Sequence, residues 1–307
     1  MAARPYDEFS MLHENAEEWS LPVPQDPAVE RVRVPVAPGR HLSALRWGHT
    51  SPRLVLLHGG AQNAHTFDTV ALALGLPLLA VDLPGHGHSD AAPRGFSDVE
   101  GHARDVTAAL GALGLAHLPV VGMSLGGLVA LCIAADSPGV VERLGMIDVT
   151  PGVTAEKSRH ITAFVDGPAS FADLDELVAR TIEHNPTRSA SSLRRGVLHN
   201  SIQLDDGTWV WRHQRHDPPE DPAQIDPGGL WASLSRVEVP VLLVRAMGTG
   251  SVVDDRDEAE FISRQPDAVV VHLDGSGHSV QGDQPLVLAS VLDAFVHGRD
   301  PTRAPTK

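Results

Sequence analysis

Cysteine and positive charge are both scarce in this sequence. Cys132 is the one cysteine among 307 residues, which excludes an internal disulfide and a cysteine-built zinc or iron–sulfur site. Lys and Arg number 24 against 39 Asp and Glu, so the formal net charge is −15 with histidine neutral. Nucleic acids and anionic membrane surfaces are polyanions, and we therefore expect neither as a partner.

Long apolar runs are missing as well. The amino-terminal sequence MAARPYDEFSMLHENAEEW is rich in acids and lacks the apolar core of a signal peptide. The longest apolar runs, Leu54–Leu57 and Leu72–Val81, are far shorter than a membrane span. The lack of disulfides fits a reducing compartment. These features predict a soluble, cytoplasmic protein.

Strands and helices alternate from residue 30 onward. Apolar and polar residues alternate in Glu30–Val36 and His41–Trp47, on either side of Pro38-Gly39, which predicts an opening hairpin. Six short apolar runs follow, at Leu54–Leu57, Leu78–Val81, Pro119–Val121, Leu144–Ile147, Val241–Val244 and Val269–Val271. The helical stretches between them include Asp98–Leu113 and Leu125–Ala135, and Pro285–Val296 follows the last run. Apolar strands separated by helices indicate a parallel sheet covered on both faces.

An N-terminal extension, residues 1–28, precedes this alternation. Its first part predicts a short amphipathic helix over Tyr6–Trp19, which the proline-containing stretch LPVPQDP ends. We interpret the extension as a cover on the domain surface. A lid over the site and a contact in a homodimer are the alternatives.

A second segment interrupts the alternation further along the chain. About ninety residues separate Ile147 from Val241, too many for an ordinary connection. They contain helix-like stretches at Thr154–Val165, Phe171–Asn185 and Ser189–Asn200. We predict an inserted cap over residues 151–235, above the carboxyl ends of the strands where open α/β sheets bind ligands. The core then comprises residues 29–150 and 236–300.

The sequence Gly122-Met123-Ser124-Leu125-Gly126 lies between a predicted strand and a predicted helix. The motif G-x-S-x-G places a serine on a tight strand-to-helix turn, with its hydroxyl exposed at the amino end of the helix. Backbone N–H groups there point toward developing negative charge. Ser124 is therefore the candidate nucleophile.

Two further glycine-rich loops complete the candidate machinery. His58-Gly59-Gly60 follows an apolar strand, and the Gly60 N–H can donate to an oxyanion together with that of Leu125, the residue after the nucleophile. A serine hydroxyl also needs a base. His278, in the loop after the last strand, comes last in the chain order expected for a serine–histidine pair. His58, His86 and His88 we interpret as loop-packing residues.

These motifs together resemble those of the α/β-hydrolase family. The resemblance covers nearly all of residues 30–297 and rests on LVLLHGG (54–60), VDLPGHGHSD (81–90), GMSLGG (122–127), VPVLLV (239–244) and DGSGHS (274–279). It implies an eight-stranded, mostly parallel sheet flanked by helices, with a helical cap inserted after the sixth strand. It also implies Ser124 as nucleophile, His278 as base, and Gly60 and Leu125 as oxyanion donors.

The third member of the catalytic triad departs from the family pattern. Members most often carry the acid after strand seven, and Gly250 occupies the position where we expect it. Asp254 follows nearby and suits the first turn of a helix. Asp148 ends strand six, where some relatives place the acid that orients the histidine. We favour Asp148 and keep Asp254 as the alternative.

The residues that the sequence contains and those that it lacks narrow the range of possible reactions. Aspartate-dependent dehalogenases and epoxide hydrolases of this fold are excluded because position 124 is serine and Tyr6 is the one tyrosine. The sequence has neither a nucleotide-binding glycine motif nor a set of metal ligands, so we expect no cofactor and no metal. We predict hydrolysis of a small-molecule carboxylic ester or lactone through an acyl-enzyme on Ser124.

Two other functions remain open, as do the substrate contacts. The alternatives are a carbon–carbon bond hydrolase of a diketo acid and a ligand receptor on a hydrolase scaffold. Trp209, Trp211 and Arg212 in the cap are candidate substrate contacts, although we favour packing for most apolar cap residues and a solvated or salt-bridged surface for the arginines. The other cap arginines that can meet a substrate carboxylate are Arg194, Arg195 and Arg215.

Overall fold

The computed structural model describes residues 6–22, 28–91, 99–185, 188–214 and 227–304. Its strands are β1 (Val29–Ala37), β2 (Arg40–Trp47), β3 (Val55–Leu57), β4 (Leu78–Asp82), β5 (Leu118–Met123), β6 (Val141–Ile147), β7 (Ser170–Phe171), β8 (Ser201–Gln203), β9 (Trp209–Trp211), β10 (Val241–Ala246) and β11 (Val269–Leu273). Its α-helices are α1 (Leu12–Glu18), α2 (Asp68–Leu74), α3 (Val99–Ala112), α4 (Leu125–Asp136), α5 (Arg159–Val165), α6 (Leu174–His184), α7 (Ala190–Asn200), α8 (Leu230–Ser235), α9 (Asp255–Arg264), α10 (Val280–Asp283) and α11 (Pro285–Val296).

Eight of these strands form one sheet in the order β1-β2-β4-β3-β5-β6-β10-β11. β2 runs antiparallel to both of its neighbours, and the other pairs are parallel. The prediction of an eight-stranded, mostly parallel sheet is thus confirmed. Parallel strands joined by helical crossovers end at the same edge, so the loops after β3, β5, β6, β10 and β11 lie side by side.

Alternate residues of the central strands supply the cores on the two faces of this sheet. In β3, Val55 and Leu57 pack with α3 and α4 on one face. Leu56 packs with α2 and α11 on the other face. Strands covered on both sides must be apolar at every position, which explains the continuous apolar runs in the sequence.

The chain between β6 and β10 forms a unit with an apolar cluster of its own. It contains α5 to α8 and a three-stranded antiparallel sheet in the order β7-β9-β8. Its cluster of buried side chains consists of Phe171, Leu177, Val197 and Trp211. We keep residues 151–235 as the proposed cap, and the domain boundaries stay a prediction.

The N-terminal helix α1 lies between the core and this unit. It begins later than predicted, at Leu12, because the Asp7 side chain accepts a 3.1 Å hydrogen bond from the Phe9 N–H and holds a turn. Leu12 is 1% exposed and packs into the apolar core beside α2. Asn15 Oδ1 accepts a 2.9 Å hydrogen bond from Arg195 of α7, and Glu18 pairs with the same arginine.

Within the described residues, the structure contains no helix that is long and apolar enough to span a membrane.

Replacing Leu12 with alanine tests how firmly α1 is docked. Because Leu12 is fully buried, we expect Leu12→Ala to lower the free energy of unfolding by about 2–5 kcal/mol. Leu113→Ala is the matched control: Leu113 is 37% exposed, and we expect a change within about 0.5 kcal/mol. Urea unfolding measures both. Equal, small effects would contradict the packing of α1.

Candidate active site

Ser124 lies in a strained turn between β5 and α4. Its backbone has φ 52° and ψ −121°, in a region that non-glycine residues rarely adopt. The Ser124 N–H donates to the Ile147 carbonyl at 3.1 Å, and the Ser124 carbonyl accepts from the Gly127 N–H at 2.8 Å. These bonds to β6 and to α4 hold the strained residue in place and offset the cost of its conformation.

The two outer glycines of the motif are required by close backbone contacts. A Cβ on Gly122 would overlap the Gly126 carbonyl oxygen, and a Cβ on Gly126 would overlap the Leu57 carbonyl oxygen. The turn thus presses α4 against the ends of β3 and β5. Only glycine fits at both positions, which gives the G-x-S-x-G spacing a physical cause.

His278 and Asp148 meet at the same edge of the sheet. His278 Nδ1 donates a 2.8 Å hydrogen bond to Asp148 Oδ2. The Asp148 side chain is fully buried, and His278 is 9% exposed. With Nδ1 engaged, Nε2 is the histidine nitrogen that can take a proton from a hydroxyl.

Asp148 is held by the loop that follows β10. Its Oδ1 accepts from the Ala246 N–H at 3.1 Å and from Ser251 Oγ at 2.6 Å, and its Oδ2 also accepts from the Val252 N–H at 3.2 Å. The loop in which Gly250 replaces the usual acid thus supplies donors to an acid from the neighbouring strand. Sequence reasoning missed Ser251. A serine next to the position where the acid was expected is the signal that could have identified it.

Asp254, the alternative acid, is engaged elsewhere. It caps α9, accepting a 2.9 Å hydrogen bond from the Asp257 N–H, and its side chain pairs with Lys157 at 2.8 Å. Hydrogen bonding to Lys157 lowers the pKa of Asp254. The structure therefore brings Asp148, and not Asp254, to His278.

The predicted oxyanion donors lie on two neighbouring loops. Leu125 is the first residue of α4, and its N–H has no intrahelical acceptor. The Gly59 N–H donates to Gln62 Oε1 at 3.2 Å, whereas the exposed Gly60 N–H has no acceptor among the described residues. A Cβ on Gly59 would lie 3.2 Å from Ser124 Cβ, so this loop packs directly against the serine.

His58 fixes the peptide that carries the Gly60 N–H. His58 Nδ1 donates to the Gly59 carbonyl at 2.7 Å, and Nε2 accepts from the Leu83 N–H at 2.9 Å. Burial, with the His86 ring beside it, lowers the pKa of His58 to about 3. A histidine that is neutral at neutral pH therefore ties the loop after β3 to the loop after β4.

The predicted cap contacts have other neighbours. Trp211 is buried in the apolar cluster of the cap, and Trp209 packs against that cluster. The guanidinium of Arg212 lies 5.3 Å from the centroid of the Tyr6 ring. Arg194 is exposed and Arg195 is paired with α1, while Arg215 lies outside the described residues.

A buried cluster beside the oxyanion loop contains potential metal ligands. One ligand atom from each of His65, Asp68 and His199 lies within 4.8 Å of the others. The two imidazole rings, however, are stacked with centroids 3.8 Å apart and planes 10° apart. A zinc ion about 2.0–2.1 Å from a nitrogen of each ring would have to lie in both ring planes, which stacked rings do not allow.

The same cluster is held together by charge. His65 Nδ1 donates to Asp68 at 2.8 Å and Nε2 donates to Glu8 at 3.0 Å. Burial opposes the charged form of His65, but the Asp68 and Glu8 carboxylates outweigh it and raise the pKa to about 9. A protonated histidine thus links the N-terminal segment to α2.

Comparison with known proteins places this architecture in a family. Residues 54–291 match the model of the alpha/beta hydrolase family. This chain belongs to the α/β-hydrolase family. Esterase Rv0045c of Mycobacterium tuberculosis is 42% identical over 301 residues, which cover 95% of this chain and 97% of that protein.

A solved structure of that esterase has the same fold. It superposes with a TM-score of 0.79 at 40% identity, covering 96% of this chain and 100% of the other. The 2-(acetamidomethylene)succinate hydrolase of Mesorhizobium japonicum is 26% identical over 261 residues, which cover 84% of this α/β-hydrolase and 92% of that one. These relatives agree with the predicted family, fold and reaction class.

Replacing Asp148 and Asp254 one at a time with asparagine shows which of them is the acid of the catalytic triad. We expect Asp148→Asn to lower kcat by about 10⁴-fold, because the histidine loses the acceptor that orients its ring. Asp254→Asn is the matched control and should keep kcat within about twofold, with at most about 1 kcal/mol of stability lost at the helix cap. Steady-state kinetics on a p-nitrophenyl ester decides. The reverse pattern would make Asp254 the acid.

The raised pKa of His65 predicts that the stability of the protein depends on pH. For His65 the folded-state pKa of about 9 lies above the ordinary value of 6.5, so its ion pairs contribute fully below pH 6.5. That contribution is lost as the pH rises through about 9. We expect the stability gap between wild type and His65→Gln, measured by urea unfolding, to shrink from pH 6 to pH 9.5. The exposed His13→Gln is the control, and a constant gap would refute the ion pairs.

Proposed function

We propose that this chain is a serine esterase that cleaves a small-molecule carboxylic ester or lactone through an acyl-enzyme on Ser124. The observation that carries the proposal is the 2.8 Å hydrogen bond from His278 to the buried Asp148, at the sheet edge where Ser124 stands in its strained turn. The similarity to a mycobacterial esterase over nearly the whole chain supports the same reaction class.

In the first half-reaction, His278 Nε2 takes the proton of the Ser124 hydroxyl as Oγ attacks the ester carbonyl carbon. The negative charge that develops on the carbonyl oxygen is stabilised by the N–H groups of Gly60 and Leu125. Asp148 stabilises the imidazolium and keeps Nε2 directed at the reacting atoms. The intermediate then collapses, and His278 gives its proton to the departing alcohol.

The second half-reaction repeats these steps with water. His278 takes a proton from a water molecule, whose oxygen attacks the acyl carbon. Collapse of the second tetrahedral intermediate breaks the bond to Ser124 Oγ, which recovers its proton from His278. The products are a carboxylic acid and the alcohol, or one hydroxy acid when the substrate is a lactone. No cofactor takes part in these steps.

The proposed cap, residues 151–235, determines which substrates reach Ser124. Arg212 lies beside the Tyr6 ring, and burial lowers its pKa. Arg212 stays a candidate substrate contact, whereas packing in the cap accounts for Trp209 and Trp211. A cytoplasmic location, which the single cysteine supports, is part of the same proposal, and a homodimer stays an alternative.

Proton release in a pH-stat tests the proposed function. We expect the wild type to release acid from some of a panel of simple esters and small and macrocyclic lactones. Ser124→Ala should lower kcat by up to about 10⁶-fold, because the nucleophile is removed. Ser290→Ala is the matched control and should retain full activity, because this serine lies in α11 and its hydroxyl bonds to the Leu286 carbonyl.

Other outcomes would change the proposal. Acid release that survives in Ser124→Ala would contradict the nucleophile. If no ester or lactone is hydrolysed, the proposal fails in favour of a carbon–carbon bond hydrolase or a ligand receptor. A diketo acid then separates these two, because the hydrolase would split it into two acids and a receptor would leave it intact.

A further inference from the structure

The last residue of α7, Asn200, contacts the loop that carries the predicted oxyanion donor. Its Nδ2 donates a 2.5 Å hydrogen bond to the Ala61 carbonyl. Its Oδ1 accepts a 2.8 Å hydrogen bond from Asn63 Nδ2. Turning the amide over would set oxygen against oxygen and nitrogen against nitrogen, so both contacts agree on one orientation.

These bonds reach Gly60 through two successive peptide groups. The peptide between Ala61 and Gln62 is held by Asn200 at its carbonyl, and its N–H donates to the Gly59 carbonyl at 3.2 Å. The Gly59 carbonyl belongs to the peptide whose N–H is that of Gly60. Asn200 therefore acts on the orientation of the Gly60 N–H through one intervening peptide.

The loop needs such support because its backbone is strained. Ala61 has φ 58°, in the left-handed region that non-glycine residues rarely adopt. A residue in this region persists only where its surroundings hold it, at a cost of about 1–3 kcal/mol. His58 holds the loop from the core side, and Asn200 holds it from the side of the proposed cap.

Asn200 is itself held by the N-terminal segment. His199, its neighbour, shares a 2.7 Å hydrogen bond with the Tyr6 hydroxyl. One turn earlier, Arg195 bonds to Asn15 and Glu18 of α1. The end of α7 is thus fixed relative to the core by contacts that do not involve substrate.

We propose that Asn200 is a positioning residue, which aligns the Gly60 N–H with the oxyanion only when α7 is docked on the core. The proposal rests on the proposed function, because it assigns Gly60 to the oxyanion. The oxyanion hole is then complete only while the cap is docked on the core. Substrate binding in the ground state does not require this alignment, whereas the charged intermediate does.

Asn200→Ala tests the proposal by comparing ground-state and transition-state binding. We expect kcat on a p-nitrophenyl ester to fall about 10- to 100-fold, less than the roughly 10²–10³-fold reported for deleting an oxyanion donor outright. KM should stay within about threefold. The Ki of a trifluoromethyl ketone, whose hemiketal oxyanion on the serine needs the donor, should rise by the same factor as kcat falls.

Two further variants accompany it. Asn63→Asp keeps the acceptor for the His65 N–H but loses the donor to Asn200, and should lower kcat and raise Ki by a common factor, as Asn200→Ala does. Asn63→Asp still tests the positioning role if Asn200→Ala does not fold. Asn185→Ala is the matched control: this asparagine bonds to the Thr181 carbonyl at the end of α6, and kcat and Ki should stay within about twofold.

Each contrary outcome has a distinct meaning. Unchanged kcat and Ki in Asn200→Ala, with Ser124→Ala inactive, overturn the positioning role and leave the esterase mechanism intact. A rise in KM alone makes Asn200 a substrate contact and overturns the proposal. Activity that survives in Ser124→Ala overturns the proposed function, and the positioning role with it.

Discussion

The hydrogen bond between His278 Nδ1 and Asp148 Oδ2 is the interaction on which the rest of the site depends. It joins the loops that follow β6 and β11, which are separated in the sheet by β10. The loop after β10 closes the gap, because its Ser251 hydroxyl and Val252 N–H also bond to the carboxylate. An acid after β6, one strand away from the usual position, can therefore orient the histidine, because the loop after β10 supplies hydrogen-bond donors to it instead of a charge.

The serine turn and the oxyanion loop show how backbone strain is distributed around this bond. Ser124, Asp148 and Ala61 all have positive φ, and all three follow strands of the central sheet. The sheet ladders and their two apolar cores fix the strand ends, so the strain cannot relax by moving them. The stability of the buried sheet thus offsets the cost of three unfavourable conformations and keeps the reacting groups preorganised.

Local patterns were sufficient to predict much of this arrangement. Short apolar runs marked the strands, and the glycine spacing around Ser124 reported a close backbone contact that only glycine allows. The glycine at position 250, where the acid was expected, pointed to Asp148. The contacts that hold the catalytic groups in place were not predictable, because they join residues that are far apart in the sequence. Asn200 and Ala61, Arg195 and Asn15, and Tyr6 and His199 each meet only after the fold has formed, and no periodicity encodes such a pair.

The way the proposed cap is attached bears on how the site can open. Its apolar cluster around Trp211 is separate from both cores of the sheet, whereas Leu230 and Leu234 of α8 pack into the core on the face of α3 and α4. The contacts described for α7 with the core and with the N-terminal segment are ion pairs, hydrogen bonds and the stacking of the His199 ring on His65. Apolar contacts tolerate small displacements, whereas a hydrogen bond weakens steeply with distance and angle. A displacement of α7 that leaves the cap folded would therefore break the bond from Asn200 to Ala61 first, and the oxyanion loop would lose its support on that side.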